Sequence, residues 1–247
     1  VISISPGTVS DFLDELIDLE ENQVPFAAAL ALTRTAQAVE QVLVSQMRTV
    51  FDRPTPYTLN SLRVFPATKE KLVARVWMKD ESVKAEPATR WLTPEIYGGD
   101  RQTKRAERQL RERGILPEGK YVVPGAGAKL DKYGNMVRGQ VTKAMSGIGG
   151  FTQQGYDANA TTSARSTKKG NYRRYFVMHG PDRQPIGIAE RTAKGKDGLA
   201  MILAFVSKPT YRKTFDFHEI AQREAEARLR DEAVKAVEEA RRTRRRR

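Results

Sequence analysis

Gly125 and Gly127 open the stretch GAGAKL, and two glycines at that spacing are how a dinucleotide-binding loop begins. The third glycine of that fingerprint would fall at Leu130, so the pattern breaks before it could cradle a pyrophosphate. Gly195–Lys196 has the lysine of a phosphate loop but lacks its upstream glycine and its hydroxyl residue. The two histidines, His179 and His218, have no cysteine or paired histidine at ligand spacing, and each reads as structural. Asp80 and Glu81 are adjacent, so in an extended chain they point to opposite faces, the wrong arrangement for a shared metal. A nuclease would need distant carboxylates to converge. Zero cysteines excludes disulfides and thiolate zinc sites. On these grounds the chain is expected to be no enzyme and to need no cofactor or metal.

Charge is the stronger signal. Lys and Arg number 43 against 30 Asp and Glu, a formal net charge of +13, which implies an acidic partner: nucleic acid or an acidic protein surface. The charge falls in three groups. Six arginines crowd Arg241, Arg242, Arg244, Arg245, Arg246 and Arg247; a second group is Arg101, Lys104, Arg105, Arg108, Arg111 and Arg113; a third is Arg165, Lys168, Lys169, Arg173 and Arg174. The first group, with Arg101, Lys104, Arg105, Arg108, Lys168 and Lys169, supplies the candidate contacts to an acidic partner or DNA. Each has an ordinary alternative. A run of like charge is usually solvated, and arginines after a helix also suit its negative end. Glu107 and Glu112 interrupt the second group. Tyr172, Tyr175 and Phe176 beside Arg173 and Arg174 mimic a single-strand binder, but alternation along a strand accounts for them more simply.

The elements that must carry these residues follow from periodicity. Pro25 suits a first helical turn, and Leu32, Ala36, Val39, Leu43, Met47 and Val50 form one stripe, predicting a long helix that ends near Phe51. Asp52 to Pro56 is a proline-locked corner, since each proline pushes its predecessor out of the α region. Two strands follow, Leu62–Phe65 and Leu72–Met78, the facing of the second left open because Val73, Arg75 and Trp77 alternate with Ala74, Val76 and Met78. A short helix with an apolar face is predicted after Ser10, up to Asn22. From Pro87 to Gly170 glycine and proline become frequent and periodicity weakens. Thr103–Arg113 is predicted as a basic helix ended by Gly114, Tyr121–Val123 as extended, Arg138–Ser146 as a helix, and Gln153–Lys169 as flexible. Then YRRYFVM, PIGIAERT and LAMILAFV predict a three-stranded meander with Leu199–Val206 central. Asp216–Arg242 is the last helix, with a capping box at Asp216 and Glu219, a stripe of Ile220, Ala221, Ala225, Leu229, Ala233, Val237 and Ala240, and four i,i+4 pairs: Glu219–Arg223, Glu224–Arg228, Glu226–Arg230 and Asp231–Lys235.

The expected fold is therefore α+β: long helices packed on a small, mainly antiparallel sheet, with a long glycine-rich insertion. Residues 1–86 and 171–247 would form the core domain, and 87–170 an interaction arm. No apolar run approaches the ~18 residues of a membrane span, and no signal peptide is expected from the first residues.

Two segments carry a resemblance. VPFAAALALTRTAQAV resembles the N-terminal helix of the lambda-type minor tail protein Z family of tailed bacteriophages. NYRRYFVMHGPDRQPIGIAERT through LAMILAFVSKPTYRKTFDFHEIAQREAEARLR resembles that family's C-terminal half. VFDRPTPYTLNSLRVFPAT and KLDKYGNMVRGQV are similar to stretches of related phage structural proteins. The resemblance implies a virion protein of the neck or head-proximal tail, similar to tail-completion and tail-terminator proteins, assembled in the host cytoplasm. It implies a homo-oligomeric ring, six copies with twelve as the alternative, between head connector or adaptor and tail tube, with genomic DNA as a candidate contact. The insertion would make much of the contact between neighbours, because it is expected to lack a core of its own. The competing reading is a basic nucleic-acid-binding accessory protein.

Overall fold

Pro25 does sit in the first turn of a helix, α1 (Val24–Val50), and Ala36, Val39, Leu43 and Met47 of the expected stripe are buried. The computed structural model describes residues 23–81, 86–152, 163–168, 174–193 and 198–244. These show the α+β class. The expected helix at Ser10–Asn22 lies outside them, as do most of Gln153–Lys169 and the aromatic–basic pair Tyr172 and Arg173.

The chain divides into two units, one holding residues up to Ile96 and from Lys213 onward, the other Tyr97–Arg212. This differs from the expected division. The meander does not complete a core with the long helices; it builds its own unit with the segment read as an insertion.

In the first unit the proline corner behaves as chemistry dictates, with one addition. Thr55 accepts the Thr58 N–H at 3.1 Å and caps a single turn, α2 (Pro56–Leu59), with Pro56 in its first turn. The chain then forms an antiparallel ribbon of β1 (Leu62–Phe65) and β2 (Arg75–Met78), paired Leu62 with Met78 and Phe65 with Arg75. β2 is shorter than predicted. A helix missed by the sequence reading, α3 (Ala88–Tyr97), tolerates Pro94 because Ala88, Leu92 and Ile96 repeat every four residues and are buried. The last helix, α7 (Phe217–Arg244), closes the unit. Phe215, fully buried just before it, meets Phe51 and Phe217 edge-on at 5.6 and 5.8 Å and fills the space among Val39, Leu43, Met47, Leu62, Leu92 and Ile96.

The alanine stripe of α7 finds its partner in the same chain. Ala236 and Ala240 pack on Ala27 and Ala31 of α1, flanked by Phe26, Leu30 and Ala233, while Ile220, Ala221 and Ala225 lie against the Phe215 core. The helices run antiparallel, and Arg34 Nη2 donates to Glu239 across them at 2.8 Å. Small side chains let the backbones approach, but they bury little area, each Å² contributing about 25 cal/mol. Leu229 and Val237, expected on the same face, are exposed. The stripe is thus used internally and is not held open for a second protomer. Of the four expected i,i+4 pairs, Glu224–Arg228 forms. Lys235 instead meets Glu232 at 2.8 Å. Asp216 precedes the helix as expected, its carboxylate held by Lys213 at 2.5 Å.

The second unit is a four-stranded antiparallel sheet of β4 (Lys120–Pro124), β5 (Tyr175–His179), β6 (Pro185–Arg191) and β7 (Leu199–Ser207), in the order β4-β7-β6-β5. A short pair, β3 (Gly99–Asp100) with β8 (Thr210–Tyr211), is separate from it. As predicted, β7 is an interior strand, and its consecutive residues Ile202 and Leu203 are both buried. Helices α4 (Arg105–Glu112) and α5 (Arg138–Gly147) supply Leu110, Ala144 and Met145 to a core with Leu116, Val122, Tyr175, Ile188 and Phe205. A single turn, α6 (Ala164–Lys168), lies further along. The expectation that 87–170 cannot supply a core is overturned: Leu110, Leu116, Val122, Ala144 and Met145 supply half of one.

GAGAKL has a structural use in this unit. The N–H of Gly125 donates to Ile202 O at 2.9 Å and that of Gly127 to Met201 O at 2.7 Å, prolonging the β4–β7 pairing. A Cβ on Gly125 would stand 2.3 Å from Met201 O, so close backbone approach demands glycine there.

Candidate interaction surfaces

Glu107 is the centre of the second basic group, and it is fully buried. It stands at the third position of α4, where its carboxylate accepts the Lys104 N–H at 2.7 Å, half of a capping box that lysine cannot reciprocate. Its other oxygen accepts the Val122 N–H at 2.8 Å, tying the helix to β4. Arg101 closes the site from outside, donating from Nη1 at 2.9 Å and also from Nη2. Burial by itself would raise the Glu107 pKa. The hydrogen bonds from Arg101, Val122 and Lys104, with the guanidinium charge, outweigh it and hold the carboxyl below its ordinary range. The same pairing raises Arg101.

Arg101 is therefore no contact for a partner: its side chain is only 10% exposed and is consumed by Glu107. Arg111 is used similarly, donating to Lys120 O at 2.7 Å, and both guanidiniums lie on the Tyr121 ring, at 4.9 and 5.2 Å from its centre. Arg113 donates to Phe151 O at 2.9 Å, and Arg174 to Glu190 at 2.7 Å. The part of the group left on the surface is Lys104, Arg105 and Arg108, with Glu112 one turn beyond Arg108. Lys168 is exposed on α6, and Lys169 lies outside the described residues. On α7, Arg241 and Arg242 are exposed just beyond the last buried alanine; Arg244 ends the helix, and Arg245, Arg246 and Arg247 lie outside the described residues.

The ribbon settles the facing that alternation left open. Leu62 is buried and Val76 and Met78 pack on the core, so Arg63, Phe65, Arg75 and Trp77 take the other face. There the Arg63 and Arg75 guanidiniums lie over Phe65, at 4.8 and 5.5 Å from the ring centre. Trp77, paired across the ribbon with Arg63, is 45% exposed. The sequence reading did not single these residues out. The signal was present, as arginine and aromatic residues at every second position of two adjacent strands, but their facing could not be assigned.

Among the described residues no group of three or more His, Asp or Glu side chains is arranged to hold a metal ion, and no helix is long and apolar enough to cross a membrane. No protein-family model, curated protein or solved structure matches the chain.

Proposed function

We propose that the chain is a structural protein of a tailed-bacteriophage virion, placed at the neck or head-proximal end of the tail, where it serves tail completion or head–tail joining as a homo-oligomeric ring of six copies. The observation that carries this reading is the pairing of the two segments with the strongest resemblance. VPFAAALALTRTAQAV opens α1, and HEIAQREAEARLR lies in α7. These distant segments belong to one antiparallel helix pair: α1 and α7 meet through Ala27, Ala31, Ala236 and Ala240, and from the resembling stretch of α7 itself Ile220, Ala221 and Ala225 pack against the cluster that holds Val39. The head connector and tail tube are the proposed neighbours, engaged by the exposed arginines rather than by the alanine stripe.

The test is fractionation of purified particles. The chain should remain with intact virions through density sedimentation and should be missing from tails or heads that fail to join when its gene is silenced. Its absence from particles would refute the placement. A second reading, a basic nucleic-acid-binding accessory protein, is favoured by the net charge of +13 and the exposed Arg105 and Arg108. It requires salt-sensitive duplex binding by the isolated chain, tighter than the non-specific range of roughly 10⁻⁴–10⁻⁶ M.

A further inference from the structure

We propose that the outer face of the β1–β2 ribbon binds single-stranded nucleic acid, with Trp77 stacking on an unpaired base and Arg63 and Arg75 meeting the adjoining phosphates. The inference stands on the ribbon alone and is independent of any placement in a virion.

Several arginines are used within the fold itself: Arg34 on Glu239, Arg101 on Glu107, Arg111 on Lys120 O and Arg174 on Glu190. Arg63 and Arg75 differ. Neither has a carboxylate or carbonyl partner among the described residues, and both are exposed. Their contact is the Phe65 ring, which holds two like charges close together against their mutual repulsion. Two fixed guanidiniums without a counter-charge present a site for two anionic groups. Phosphate suits guanidinium geometry, because the planar fork donates two parallel hydrogen bonds.

The aromatic component selects the kind of anion. Trp77 is nearly half exposed on the same face, directly across from Arg63. It contributes little to the core, which is lined from the ribbon by Leu62, Val76 and Met78. An acidic peptide would be satisfied by the two arginines and has no use for an indole face. In a duplex the bases are stacked on each other and closed to it. An unpaired strand offers phosphates and free π-faces together, the combination that single-strand-binding surfaces exploit. Lys69 and Lys71, exposed at the turn joining the strands on either side of Glu70, add one net positive charge beyond the arginine pair.

The experiment uses the full chain and three probes: fluorescein-labelled oligo-dT of twenty nucleotides, a mixed duplex of the same length, and poly-glutamate as competitor. Anisotropy is read from low to moderate salt. Oligo-dT should bind more tightly than the duplex and quench tryptophan emission. Trp77→Ala should weaken it by roughly five- to 150-fold, the range for loss of one stacked base, and Trp77→Phe should recover part of that. Arg63→Gln with Arg75→Gln should lower the slope of log affinity against log salt by about 1.4, two phosphates at about 0.7 each. Arg138→Gln with Lys143→Gln, exposed on α5, serves as the control for diffuse attraction and should leave the Trp77 effect intact. Circular dichroism on every variant separates loss of binding from loss of fold. Equal binding of duplex and single strand with no effect of Trp77→Ala would overturn the proposal. So would poly-glutamate displacing oligo-dT at matched charge, or a loss on the α5 control equal to that on the ribbon.

Discussion

Replacing Glu107 by alanine removes the acceptor for four donors at once: two from Arg101 and the backbone N–H groups of Lys104 and Val122. Hydrogen bonds to a charged group contribute about 1.5–3 kcal/mol each, so adding four gives roughly 6–12 kcal/mol. That sum is too large, because Arg101 also has carbonyl acceptors at Gln102, 3.2 Å, and Val122, 3.3 Å, and its side chain retains some solvent. Breaking a buried ion pair by deleting one partner costs about 3–5 kcal/mol, and we expect the value to fall there. With a urea slope of about 2 kcal/mol/M for a small unit, the midpoint should drop by about 2 M. The chain's two tryptophans, Trp77 and Trp91, both lie in the first unit, so their fluorescence does not report on this site. Hydrogen exchange followed by mass spectrometry on peptides covering β4 and β7 does. Protection there should fall, while α1 and α7 keep theirs. The double variant Arg101→Met with Glu107→Leu should recover part of the loss, since an apolar pair leaves no buried charge while the Lys104 and Val122 N–H groups still lack their acceptor. A loss under about 1 kcal/mol in Glu107→Ala, below the cost of a single orphaned donor, would refute the reasoning.

Because the Glu107 pKa is lowered on folding, its contribution is present above the unfolded carboxylate value and disappears as pH falls through the depressed folded value. Exchange protection of β4 should therefore weaken on acidification below about pH 4, and Glu107→Ala should flatten that dependence. In the helix pair, Ala31→Leu should overpack the contact with Ala236 and Ala240 and lower unit stability by about 1–3 kcal/mol, read from tryptophan-monitored denaturation. Gly125→Ala should be destabilising because its Cβ meets Met201 O. Gly139→Ala, on α5 with open space around it, should be neutral or stabilising by up to about 1 kcal/mol, a contrast visible in thermal melts. Deleting Arg241–Arg247 should leave denaturation of the isolated chain unchanged, since Ala240 is the last buried residue of α7 among the described residues, and should weaken assembly most at low salt, where the attraction of the arginines is least screened.

Long-period patterns were the readable part of this chain. Val39, Leu43 and Met47 announced α1, the apolar run Leu199–Val206 announced an interior strand, and Gly114, at φ +67°, ended the basic helix where expected. Three features were missed for identifiable reasons. Ala88, Leu92 and Ile96 mark α3, but Pro87 and Pro94 concealed a helix whose burial outweighs one lost backbone bond. Residues 87–170 read as an arm because the core of the second unit is split: Leu110, Val122 and Met145 come from that stretch and Ile188, Ile202 and Phe205 from the meander, with no period linking them. The basic cluster around Arg101 looked like a surface because charge reads as exposure. Glu107 was seen only as an interruption, when burial makes it the residue that the arginine serves. Two exposed arginines on an aromatic ring, Arg63 and Arg75, lie elsewhere, where two-residue alternation allowed either face.

The central claim, a ring at the junction of head and tail, is tested most directly by cryo-electron microscopy of particles that contain this chain, with localised symmetry applied at the neck. The account predicts density for the α1–α7 helix pair and the four-stranded sheet in a closed six-fold ring between connector and tail tube. Density for the chain on the capsid, along the tail shaft or nowhere in the particle would contradict it.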